Sequence, residues 1–168
     1  IRNTTGRSQK GTMTFRASGA GSSPGRVITV ERVFPTDTST VRSRYELGEN
    51  ALFWDEFRPN VYAVSIEWRG VGSSLRDNRQ VNAGLRDLRV SGTRFAINGR
   101  PLFLRGTLDW VLFPKTGYPS MNEQDWDRHF SIIRAHGMNH VRFHSWCPPE
   151  AAFASADRHG LYLQVECG

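Results

Sequence analysis

In the stretch HVRFHSWCPPEAAF, His140 to Phe153, two histidines, an arginine, a tryptophan and a cysteine crowd between an apolar run and a helix-like segment. Asp109 and Trp110 stand upstream and Glu166 downstream, each closing another apolar run. An imidazole can move a proton or hold a hydroxyl near neutral pH. A guanidinium and a carboxylate can neutralise each other or hold a polar ligand between them. An indole offers a flat apolar face with one N–H at its edge. These are the tools of ligand binding and acid–base work. Metal chemistry is not expected. His136, His140 and His144 would align only on a continuous helix, which Gly137 interrupts, and Cys147 and Cys167 form no C-x-x-C pair.

The flanking pattern says what must position these groups. In HVRFH, Val141 and Phe143 oppose His140, Arg142 and His144; in LYLQVE, Leu161, Leu163 and Val165 oppose Tyr162, Gln164 and Glu166. In PLFLRG, Leu102 and Leu104 oppose Phe103 and Arg105. Between the first two apolar runs, SMNEQDWDRHFSIIRAHG sets Ser120 three residues before Glu123, a capping-box spacing. It carries Trp126, Phe130 and Ile133 on one face and stops at Gly137, which predicts a helix of about four turns. PPEAAFASADRHG predicts a second, with prolines at its entry and Gly160 at its exit.

The resulting β-α-β-α-β order predicts a parallel sheet, either open and doubly wound or the first three strands of an eight-stranded barrel. One polar face per strand favours the barrel, because an open sheet covered on both sides is apolar on both. Arg105, Arg142, His144, Gln164 and Glu166 would then gather near its C-terminal rim. Two roles stay open for the arginines: ordering the rim through carboxylates, or touching a ligand. His144 is a packing histidine or a ligand contact. Trp146 is a stacking platform for a pyranose face or a plug between loop and helix.

Upstream the period is two. GTMTFRA, RVITVERVF, STVRSRYELG and VYAVSIEW read as strands, the first two joined by the Gly/Ser/Pro-rich turn SGAGSSPG, and no helical period interrupts them. Residues 1–90 are expected to form an immunoglobulin-like β-sandwich and 91–168 a second domain, entered through a hairpin at Asn98-Gly99. An apolar content of 38% marks a core-forming chain. The net charge of +6 comes from scattered arginines alternating with acids, so nucleic-acid binding is not expected. No stretch has the roughly 20 apolar residues of a membrane-spanning helix, and no strand is followed by a Gly-rich phosphate loop. Ile1 stands where an initiator methionine would, which predicts a piece of a longer protein.

FAINGRPLFLRG, followed by a helix and GMNHVRFHSWCPPEAAFASADRHGLYLQVE, resembles the start of the catalytic barrel of family 2 glycoside hydrolases, the β-galactosidases, β-glucuronidases and β-mannosidases. LFWDEFRPNVYAVSIEW resembles the last strands of the immunoglobulin-like domain ahead of it. The resemblance implies a multi-domain fold: an N-terminally truncated sandwich, then the N-terminal β-α-β-α-β portion of a (β/α)8 TIM barrel. It implies a fragment of a retaining β-glycosidase acting on a terminal β-linked sugar of an oligo- or polysaccharide. The partners would be that carbohydrate and the remainder of the parent chain, with no cofactor. Both catalytic glutamates would lie beyond this chain, so no catalytic residue is assigned here. Asp109, Arg142, His144, Trp146 and Glu166 are the candidate substrate contacts. Family habit favours a periplasmic or secreted location. Many relatives carry Arg-x-Ser-His-Tyr-Pro where this chain has RFHSWCPP, and an Arg-His pair where it has Asp109 and Trp110. The alternative function is a non-catalytic carbohydrate-binding or adhesion module.

Overall fold

A computed structural model describes residues 1–19, 26–111 and 113–166; most of the SGAGSSPG turn, and Cys167, lie outside these. The chain divides into two compact units, Ile1–Leu52 with Tyr62–Ala83, and Phe53–Val61 with Gly84–Gly168.

The first unit is a four-stranded antiparallel sheet in the order β2-β1-β3-β4. Its strands are β1 (Gln9–Ser18), β2 (Val27–Phe34), β3 (Tyr62–Gly70) and β4 (Arg76–Ala83). Met13, Phe34 and Tyr62 are its buried apolar residues. Gly11 is bare because the Trp68 indole lies across it: a Cβ there would stand 2.3 Å from Trp68 Nε1. Residues 41–48 were expected as a strand, yet they join no ladder. Side chains tether them instead, Tyr45 Oη donating to the Arg26 carbonyl at 2.6 Å and Arg26 pairing with Glu46 at 2.8 Å. The expected sandwich is present as one layer, with no second sheet facing it among the described residues.

The second unit begins with a wedge, residues 53–61, that leaves the chain path between β2 and β3. Trp54, Asp55 and Glu56 are all buried. Trp54 Nε1 donates to the Asp157 carbonyl at 2.7 Å and its ring meets Tyr162 edge to face. Tyr162 Oη donates to Glu56 Oε2 at 2.6 Å, and Arg100 reaches Asp55 at 2.8 Å. A small sheet, β5 (Leu88–Ser91), β6 (Arg94–Ile97) and β7 (Arg100–Pro101), follows. The Asn98-Gly99 turn joins β6 to β7 with both residues at positive φ, 50° and 78°, as a two-residue hairpin requires.

The remainder is β8 (Gly106–Asp109), α1 (Glu123–Ala135), β9 (His140–Phe143), α2 (Glu150–His159) and β10 (Tyr162–Val165), the strands parallel in the order β10-β9-β8. Val141, Phe143 and Leu161 bury against Trp126, Phe130 and Ile133 of α1 and Ala152 and Ala156 of α2. Asn122 caps α1, its side chain accepting from Gln124 N; Ser120, the expected cap, instead donates to Asp125. Gly160 ends α2 in the left-handed conformation.

The expected (β/α)8 TIM-barrel portion is not found. The chain is mostly β, with two short helices, and its parallel strands form an open sheet of three. The alternation that suggested a barrel interior arises equally in a sheet with helices on one face only. Arg142 and Gln164 sit on the uncovered face and are exposed. Strand β8 also starts later than PLFLRG. Arg105 therefore precedes it and donates from Nε to the Gly137 carbonyl at 2.8 Å, at the end of the sheet away from His144.

Candidate functional site

Parallel pairing brings Asp109, Phe143 and Val165 level, so the chain leaves all three strands together. The ladder runs one residue further: His144 N donates to the Asp109 carbonyl at 2.9 Å and Glu166 N to the Phe143 carbonyl at 3.2 Å. Beyond it the backbone turns sharply at Ser145, a non-glycine residue at φ 61°. That conformation is costly for a residue with a Cβ and needs local support.

Glu166 supplies the support. One of its carboxylate oxygens pairs with the Arg142 guanidinium, and the other accepts from Ser145 N at 3.1 Å. The hydrogen bond from Arg142 holds the Glu166 carboxyl below the usual glutamate range, with the Ser145 N–H and the Arg142 charge adding to it. Glu166 is thus a fixed anion, an acceptor for hydroxyls and unsuited to donate a proton at neutral pH. Ser145 Oγ lies 3.0 Å from His144 Nδ1, and the imidazole stacks on Trp110 with centroids 5.0 Å apart and planes at 19°. Arg142, His144, Ser145, Glu166 and Trp110 form one cluster at the carboxyl ends of parallel strands, where open α/β sheets bind ligands.

Two expected contacts lie elsewhere. Asp109 pairs across the ladder with Phe143, on the helix-covered face, and its carboxylate lies 3.4 Å from His129 Nε2 of α1. Only its carbonyl serves the cluster. Trp146 spends its ring on the core, edge to face with Phe143 at 5.1 Å and with Phe113 at 5.7 Å. Its indole N–H reaches the Asp109 carbonyl at 3.4 Å. Gln164 faces a cavity of ≈ 610 Å³ beside His140, Leu102 and Leu104. Burial there pushes the His140 imidazole below the usual histidine range. Trp110 is the member that sequence reasoning passed over as a site residue; the available signal was an aromatic directly after a strand end.

No family model matches the chain. Among solved structures it is similar to Bacteroides uniformis β-glucuronidase 2 covalently bound to cyclophellitol-6-carboxylate aziridine, with TM-score 0.84 and 18% identity over 99% of this chain and 20% of that one. It is also similar to a GH2 β-galacturonidase from Eisenbergiella tayi bound to galacturonate, with TM-score 0.77 and 21% identity over 99% of this chain and 29% of that one. Parabacteroides merdae β-glucuronidase matches with TM-score 0.76 and 20% identity over 92% of this chain. The chain spans 19% of the length of that last enzyme. At such identities the likeness is one of fold.

Proposed function

We propose that the chain is part of a β-glycosidase, in which it supplies one wall of the sugar pocket. The observation that carries this reading is the convergence of Arg142, His144, Ser145 and Glu166 where three parallel strands end. The fold likeness to glycosidases supports it. In this reading Glu166 accepts a sugar hydroxyl, Arg142 keeps it anionic and fixed in place, and His144 holds a second hydroxyl.

Retaining hydrolysis needs two carboxyl groups about 5–5.5 Å apart, one protonating the leaving oxygen and one attacking the anomeric carbon. Glu166 fits neither task, since its proton is lost and both its oxygens are engaged. The pair therefore comes from the rest of the enzyme. The reading is tested with the full-length protein and a panel of p-nitrophenyl β-D-galactoside, glucoside, mannoside and glucuronide. Hydrolysis of at least one with retained configuration at the anomeric carbon is expected, and none from residues 1–168 alone. Turnover by the 168-residue chain that Glu166→Gln abolishes would overturn the assignment of catalysis to other residues. Sugar binding without hydrolysis by the full-length protein would favour a non-catalytic carbohydrate-binding module.

A further inference from the structure

Trp110 directly follows β8 and keeps 56% of its surface exposed although one ring face is stacked on His144. An exposed indole is unremarkable alone, but this one borders a polar edge built from the Glu166 carboxylate, the Ser145 hydroxyl and the His144 ring. His144 Nδ1 is the ring nitrogen that meets Ser145 Oγ, which leaves Nε2 for a ligand. Trp146, the other indole near the turn, is packed among Phe113, Trp126 and Phe143 and has no such freedom.

We infer that Trp110, backed by His144, is the stacking platform for the apolar C–H face of a pyranose ring whose hydroxyls reach the Glu166–Ser145 edge. The two halves of the site call for one ligand with a flat apolar face and hydroxyl donors around its rim. A purely apolar ring would cover the indole but strip water from the carboxylate without replacing its hydrogen bonds, at a net loss. The His144 stack holds the indole in one orientation before the ligand arrives, so little rotamer freedom is lost on binding. The inference takes its ligand class from the glycosidase reading; the platform itself is a statement about geometry.

The experiment uses the full-length protein and measures two things: calorimetric binding of methyl β-D-pyranosides, and hydrolysis of the p-nitrophenyl panel. Trp110→Ala is expected to weaken binding and raise KM about tenfold, the scale of one good aromatic contact, while leaving the melting temperature unchanged. Trp110→Phe should restore most of the loss. Trp146→Phe should lower the melting temperature and leave affinity within about twofold of the starting protein. The platform is overturned if Trp110→Ala binds and turns over within about twofold of the starting protein, or if Trp146→Phe weakens binding as much as Trp110→Ala does. Hydrolysis that persists in that case leaves the glycosidase reading standing. Binding that depends on Trp110 without any hydrolysis sinks the glycosidase reading and keeps the platform. A protein that neither binds nor cleaves overturns both.

Discussion

Glu166 joins a strand end to a strained turn, and its ionisation should be visible in stability. Its folded pKa is depressed, so the contribution is complete above the ordinary value of 4.5 and disappears as pH falls through the lower folded value. Glu166→Gln should therefore be destabilised relative to the starting protein at neutral pH, and the gap should close below pH 4.5, read from urea midpoints across that range. A gap independent of pH would contradict the ion-pair account. The pairing of Arg142 with Glu166 was legible beforehand, because period two alone puts both on one face of adjacent strands. Asp109 was misread for a physical reason. With β8 placed at PLFLRG it fell in a loop, free to face a ligand; the strand in fact starts at Gly106, and the same alternation sends its side chain toward α1. Trp110 could not be ranked from sequence because its role depends on the ring it meets across the turn.

At the scale of elements, the second helix depends on a glycine for two reasons. Gly160 adopts φ 67°, and a Cβ there would lie 2.7 Å from the Glu56 carbonyl oxygen and 2.9 Å from Glu56 Cα. The left-handed conformation costs a non-glycine residue about 1 kcal/mol, and backbone atoms cannot swing aside as a side chain would. Gly160→Ala should lower stability by at least about 2 kcal/mol, measured by urea denaturation. Asn122→Ala, which removes the α1 cap, should cost about 1 kcal/mol and leave Ser120→Ala milder. Both helices were legible from apolar spacing and stop signals, because each has one buried stripe. Strand β4 was not, since all eight of its residues are exposed and no apolar face betrays a strand held by backbone pairing alone.

At the scale of the molecule, two of the chain's features bear on how it behaves when isolated. Strands β8 and β10 each keep one edge unpaired among the described residues, a known route to association. The 168-residue chain alone should associate as its concentration rises, seen by light scattering, whereas the full-length protein should not. The second feature is the wedge. Trp54 is 2% exposed, and its truncation to Ala should cost about 3–5 kcal/mol. Tyr162→Phe would leave the buried Glu56 carboxyl without its hydroxyl donor, at about 1–3 kcal/mol. Sequence gave the wedge's composition but not its destination, because a tryptophan and two acids read equally well as part of the strand that follows.

Residues 53–61 lie between two strands of the first sheet yet bury their side chains in the other unit. The halves are thus stitched by a segment that neither can surrender. Recombination at a single point near residue 84 would hand the second half a foreign insert in place of its own Trp54 and Glu56. Such chimeras should fail unless the insert travels with the half it serves, which ties the two halves into one heritable block.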